Sequence, residues 1–160
     1  MSGSRSVLIF GGLALAILGM SYGLLYAVFV EHQTLDGLGG SLTTAFVKGA
    51  ERDLPAAQRS LEIYAHNAYV YVRQVDTHSH WIGLAMVLVV LGIAFDRVGF
   101  SDGWKLALAL ALLGGAVVFP LGVLMQTWMP GAVPRVVAAA GAASVTAGMA
   151  GAAWGFSRAH

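Results

Sequence analysis

Four stretches of this 160-residue chain, residues 7–30, 81–95, 104–126 and 133–156, are almost wholly apolar, and no charged residue lies near the middle of any of them. Roughly 20 such residues suffice for a helix to cross the hydrocarbon of a bilayer. Inside hydrocarbon every backbone N–H and C=O needs a partner within the protein, and a helix supplies one internally. The pattern therefore predicts an all-α integral membrane four-helix bundle, in contact with lipid along its length. The 81–95 stretch is short by itself and borrows length from the residues before it. Composition agrees: 58% of residues are hydrophobic and 11% charged, against about 25% charged in soluble domains.

Other classes are excluded by what the chain lacks. A net charge of +1 gives no electrostatic case for nucleic acid. The absence of cysteine excludes disulfides, thiolate catalysis, iron–sulfur clusters and covalently attached c-type haem. Ion-coupled transporters and proton pumps need ionisable groups at mid-depth, and the spans carry none there. No serine is paired with a histidine and an acid in a triad motif.

Flanking charges set the expected orientation. Arg5, Arg97, Lys105 and Arg158 flank one side of the spans, whereas the loop between the third and fourth offers only Arg135. By the positive-inside rule both termini are cytoplasmic, in a multi-pass protein of the cell inner (plasma) membrane. The first apolar run exceeds the 7–15 residues of a signal-peptide core and reads as a retained anchor. Residues 31–80 then form an extracytoplasmic helical segment between spans 1 and 2.

Within that segment, "DGLGG" at 36–40 reads as a turn. Leu42, Phe46 and Ala50 suit a short amphipathic helix. Asp53 followed by Leu54-Pro55 starts a new helix, with an N-cap and a proline in the first turn. No glycine or proline interrupts the chain from there to Gly83, so one helix can run straight into the second span. It would project about 35–40 Å before meeting hydrocarbon. Its apolar seam, Leu61, Tyr64 or Ala65, Ala68, Val72 and Val75, needs a cover, either the 42–50 helix or a partner protein. Tyr64, Tyr69, Tyr71 and Trp81 suit an interfacial belt.

Small residues indicate how the spans pack. Gly141, Ser144, Gly148, Gly151 and Gly155 line one face of the fourth span, and Gly19 and Gly23 form G-x-x-x-G in the first. Such faces let backbones approach closely where lipid offers no hydrophobic gain. Pro120 should bend the third span.

Histidines are the candidate chemistry. His32 leaves the first span, and His78 and His80 open the second, so neighbouring helices would hold all three at one depth with Glu31, Asp76, Met125 and Met129. Residues two apart on a helix point about 200° apart, so His78 and His80 cannot chelate one ion alone. His78 falls nearer the inward side and His80 nearer the Arg73 face. A bound group would need a second helix, with His32 the nearest donor. Asp76, one turn before His80, could accept its second N–H, the usual support of a ligating imidazole; Gln74 is similarly placed for His78. Imidazole with Met suits copper, imidazole with carboxylate suits zinc, and axial histidines between glycine-rich helices suit haem b. Solvated imidazoles at an interface are the plainer alternative. His66 lies about 20 Å from His80 along a straight helix, too far to share the site, and His160 is terminal.

The segment "THSHWIGLAMVLVVLGIAF" resembles the H-x-H helix of small four-span proteins similar to subunit I of haem–copper oxidases. His78, His80, Gly92 and Phe95 suit that pattern; Ala85 stands where those proteins often have glycine, and Trp81 replaces a smaller apolar residue. The third span, "LLGGAVVFPLGVLM", looks like the glycine–proline helix that follows. The resemblance covers about forty residues and implies an axial haem ligand among the pair. It does not imply oxygen reduction, because no histidine occurs between His80 and His160 to build a haem–copper centre.

The resulting expectation is a small integral membrane subunit with a His-centred haem b or copper site at its extracytoplasmic face. It would serve electron transfer or metal handling beside other membrane subunits, as an accessory rather than a stand-alone enzyme. His78, His80 and His32 would bind the cofactor, with Asp76 as a further metal-site residue. The alternative is a non-catalytic structural or assembly subunit with no cofactor.

Overall fold

A computed structural model describes residues 2–158; His160 lies outside them. The described chain is all-helical: α1 (Gly3–Phe29), α2 (Glu31–Ala50), α3 (Leu54–Ala94), a 3₁₀ turn (Phe95–Arg97), α4 (Asp102–Met125) and α5 (Ala132–Ser157). Four of these, α1, α3, α4 and α5, are long and apolar enough to cross a membrane.

α3 is the axis of the fold. It packs along α1 and α2 and against α4, while α5 packs on α4. Asp53 caps its start, accepting from the Ala56 N–H at 3.1 Å, with Pro55 in the first turn. The helix then runs unbroken for 41 residues, as the absence of glycine and proline up to Gly83 predicts. Buried or half-buried residues recur along it at 57, 60, 64, 67, 71, 74, 78, 81, 85, 88, 92 and 95. These alternating steps of three and four match the seam of a left-handed coiled coil. Opposite it, α1 contributes Leu8, Gly12, Leu15, Gly19 and Tyr26.

The turn expected at 36–40 is instead helical, and α2 follows α1 with a break only at Val30 (φ −125°, ψ −41°). Three glycines in that stretch cost about 1 kcal/mol each relative to alanine, so propensity alone favours a turn. Packing on α3 outweighs it. A Cβ on Gly37 would lie 3.3 Å from Asn67 Nδ2, and Ala45 is buried against the facing helix. Thr34, Ser41 and Thr44 each donate a side-chain hydrogen bond to a carbonyl three or four residues back. At the far end, Asp53 N–H donates to Lys48 O at 2.9 Å and Arg52 N–H to Gly49 O at 3.0 Å. These two bonds form a Schellman closure with Arg52 at φ 62°.

α2 covers a different face of α3 from the apolar one read in the sequence. It lies over the small and polar side, Ala57, Ser60 and Asn67, whereas Leu61 and Val72 stay 43% and 49% exposed. Ala57 and Ser60 have almost no side chain to hold helices apart, and that shape decides the contact.

The glycines of α5 pack within the chain, Gly141, Gly148 and Gly151 against α4 and Gly155 against Val98 and Phe100 before it. A Cβ on Gly141 would fall 2.4 Å from Phe119 N, and one on Gly122 would fall 2.3 Å from Ala138 N. Gly148 and Gly151 receive Leu112 and Leu108, and Ser144 Oγ donates to Ala111 O at 2.9 Å. Pro120 sits buried at this crossing without interrupting α4. At one end of the bundle Asp96 gathers three elements. Its carboxylate accepts from Ser2 Oγ and from Arg5 Nη1, and its backbone carbonyl accepts from Lys105 Nζ.

Candidate functional site

Cross-helix contacts fix the depth of the histidines. Tyr69 Oη donates to Gln126 Oε1 at 3.1 Å, so Tyr69 stands level with the end of α4. Tyr71 Oη lies 3.5 Å from Glu31 Oε1, level with the α1–α2 junction. His78 and His80 therefore lie about 10–17 Å further along the bundle, by the 1.5 Å rise of a helix. The bundled part of α3 is longer than the apolar run from Trp81. The hairpin of α2 and early α3 extends about 23 Å past the end of α4, less than the 35–40 Å expected when residues 69–80 are counted as projecting.

The two imidazoles of the pair diverge, as their 200° separation requires. His78 faces α1, where a Cβ on Gly23 would be 3.2 Å from its ring. Its Nδ1 is shielded and has no hydrogen-bond partner, so Gln74 does not support it there. His80 faces α4, its ring edge-on to Phe119 with centroids 4.7 Å apart. Both rings are half-buried, because α3 is flanked by α1 on one side and α4 on the other.

Asp76 takes a different part from the one its spacing suggests. His80 Nδ1 lies 2.6 Å from the backbone carbonyl of Asp76, and the carboxylate pairs instead with Arg73 Nη1 at 3.7 Å. In a helix the i−4 carbonyl is already within reach of an imidazole Nδ1, so the side chain is not needed. The Arg73 guanidinium also lies 5.1 Å from the centre of the Tyr69 ring, a cation–π contact.

His32 is not brought to this pair. It opens α2 with an 88% exposed side chain, 3.5 Å from Asp36 one turn on. Its helix packs on α3 through another face, which leaves the imidazole pointing away. His66 is exposed and lines a cleft of about 390 Å³ with Met129 and Arg135 at the end of the bundle where α4 turns into α5. Among the described residues no group of three or more His, Cys, Asp or Glu side chains is placed to hold a metal ion.

Two tyrosines that the sequence did not single out, Tyr22 and Tyr26, accompany His78, together with Trp81, which is buried rather than interfacial. The Tyr26 hydroxyl is shielded beside Thr34 and the Trp81 indole N–H is shielded and unpartnered, in residues only 5% and 3% exposed. Tyr22 meets Trp81 edge-on at 5.6 Å. Tyr26 belongs to the same inward register as Leu15 and Gly19, which is the signal that could have found it. Chemically, this part of the bundle holds a phenol and an imidazole in apolar surroundings, both shielded by neighbouring helices.

Comparison with protein-family models, curated proteins and solved structures returns no match. The likeness to the haem–copper oxidase group thus rests on the residues quoted for it.

Proposed function

We propose that the chain is a non-catalytic structural or assembly subunit of a membrane complex. Its four spans sit in the inner (plasma) membrane, both termini are cytoplasmic, and the α2–α3 hairpin stands on the outer side. One observation carries this reading: the hairpin leaves an apolar stripe uncovered beyond the end of the bundle. Leu54 and Leu61, seven residues apart on one face of α3, are 69% and 43% exposed, and Val72, 49% exposed, continues that face beside the end of α4. Phe46 on α2 is 72% exposed. Lipid accounts for exposed apolar side chains along the spans, but residues beyond α4 have no such cover, and contiguous exposed apolar surface marks interaction sites. An apolar helix of a partner subunit suits a stripe of this form. Purification from source-cell membranes in mild detergent tests the proposal. A second polypeptide should co-purify with the wild type and be lost in Leu54→Glu/Leu61→Glu, with helicity retained. Recovery of the chain alone would count against it.

A second reading keeps the cofactor. If the His80 Nδ1 proton is donated to the Asp76 carbonyl, Nε2 is left as a lone pair, the tautomer that an axial haem or copper ligand needs. An optical spectrum with metal analysis tests it. A Soret band or stoichiometric copper that disappears in His80→Ala would establish the ligand, and colourless, metal-free protein from haem- and copper-replete cells would remove it.

A further inference from the structure

We infer that the cleft where α4 turns into α5, against α3, is a binding site for the phosphate of an anionic phospholipid. The cleft holds about 390 Å³, within the range of small-molecule sites. α3 supplies His66 and Tyr69, the end of α4 supplies Gln126, the turn supplies Trp128, and the first turn of α5 supplies Arg135.

Charge in the lining is of one sign. Arg135 is its one formally charged residue, and His66 is the group there that can gain a second positive charge. Both residues are exposed. Neither belongs to the ion pairs of the described residues, which join Arg5 to Asp96, His32 to Asp36, Lys48 to Glu51 and Arg73 to Asp76. Glu62, one turn before His66, lies outside the lining and accepts from Gln58 Nε2 at 3.4 Å.

The other polar groups of the wall serve one another. Tyr69 Oη donates to Gln126 Oε1 at 3.1 Å, Gln126 Nε2 to Gly122 O at 3.2 Å, and Thr127 Oγ1 to Leu124 O at 2.7 Å. The Trp128 and Met129 N–H groups both donate to Met125 O. These bonds engage the acceptors at the end of α4, and the N–H donors of Arg135 and His66 stay open. A fitting occupant brings acceptors and negative charge together, and a phosphate brings both.

Depth decides which phosphate. Gln126 closes α4, where that span leaves hydrocarbon. Trp128, 68% exposed beside the cleft, matches the tryptophans that sit at headgroup level. Val133 and Val136 flank Arg135 in α5 and are 61% and 63% exposed, so apolar wall for acyl chains begins at the edge of the cleft. A soluble phosphate makes the same polar contacts and leaves that wall unused. An ammonium headgroup meets no carboxylate in the lining, which favours a lipid of net negative charge over a zwitterionic one. The inference rests on the four helices spanning a membrane and not on the partner of the hairpin, so its failure would leave the subunit proposal standing.

Native mass spectrometry of the full chain in mild detergent, titrated with phosphatidylglycerol or with phosphatidylcholine of the same chains, is the test. One phosphatidylglycerol should be retained in preference to phosphatidylcholine. Arg135→Gln should weaken that retention about fivefold, the upper range for one exposed ion pair, at an unchanged melting temperature. Arg158→Gln, at the opposite end of α5, should retain the lipid as the wild type does. Equal retention of the two lipids, or equal retention of phosphatidylglycerol by wild type and Arg135→Gln, would overturn the assignment. So would displacement of the lipid by an equimolar amount of inorganic phosphate, which would give the cleft to a soluble anion, or a co-purifying polypeptide lost in Arg135→Gln, which would give it to a protein carboxylate.

Discussion

Replacing Gly141 by alanine should loosen the α4–α5 pair more than the size of a methyl group suggests. The added Cβ would stand 2.4 Å from Phe119 N and 2.7 Å from Phe119 Cα. Both are backbone atoms, so no rotamer change relieves the clash, and α4 and α5 must move apart by about 1 Å to restore ordinary contact. The displaced residue is Phe119, whose ring supports His80. Overpacking of this kind costs about 1–3 kcal/mol. For a chain of this size that is roughly 2–12 °C in melting temperature. Gly114 is the control, because a Cβ there meets nothing within 4 Å. Tryptophan-fluorescence melts in detergent, where Trp104 and Trp154 report on the two helices, should show the loss in Gly141→Ala and none in Gly114→Ala. If Gly141→Ala melts with the wild type, the close glycine contact is not what holds these helices together.

The hairpin offers simpler tests. Gly39→Ala and Gly40→Ala meet no neighbour and should each stabilise α2 by about 1 kcal/mol, read as a higher melting temperature by circular dichroism; a decrease would mean that 36–40 is a turn after all. Arg52 holds φ 62°, so Arg52→Gly should stabilise the α2–α3 turn by about 1 kcal/mol, measured the same way, and destabilisation would contradict the Schellman closure. Asp76→Asn should cost at most about 1 kcal/mol, because the Arg73–Asp76 pair is 34% and 38% exposed at 3.7 Å and such pairs contribute little; chemical denaturation in detergent decides, and a larger loss would show that the pair is shielded from solvent.

Much of this architecture was legible in the sequence because the membrane leaves few alternatives. Apolar length marked the four long helices, and the glycine face of the last one follows directly from the need for close approach. The start of α3 was legible in Asp53 and Pro55, which act locally. What failed to show were choices made by tertiary contact. Gly37, Gly39 and Gly40 read as a turn, yet Gly37 packs against Asn67 and the helix that Ala45 anchors on α3 continues through all three. The apolar residues Leu61 and Val72 looked like the contact seam of α3, yet Ala57 and Ser60 took that role through their small size. His32, His78 and His80 shared a level in the sequence, but only rotation about each helix axis decides which way an imidazole points. That rotation is set by the facing residues Gly23 and Phe119, some forty to sixty positions away. Tyr26 escaped notice for a similar reason: a tyrosine near the end of an apolar run is usually interfacial, and burial against α3 became visible only once the pairing was known.

The most direct measurement for the subunit account is photo-crosslinking in native membranes, with a photoreactive residue at Leu61 and, as control, at Arg59 on another face of α3. The account predicts one discrete adduct with a second polypeptide from Leu61, none from Arg59, and loss of that adduct when Leu54→Glu is added. The same yield from both positions, or no protein adduct from Leu61, would contradict the claim that this stripe receives a partner.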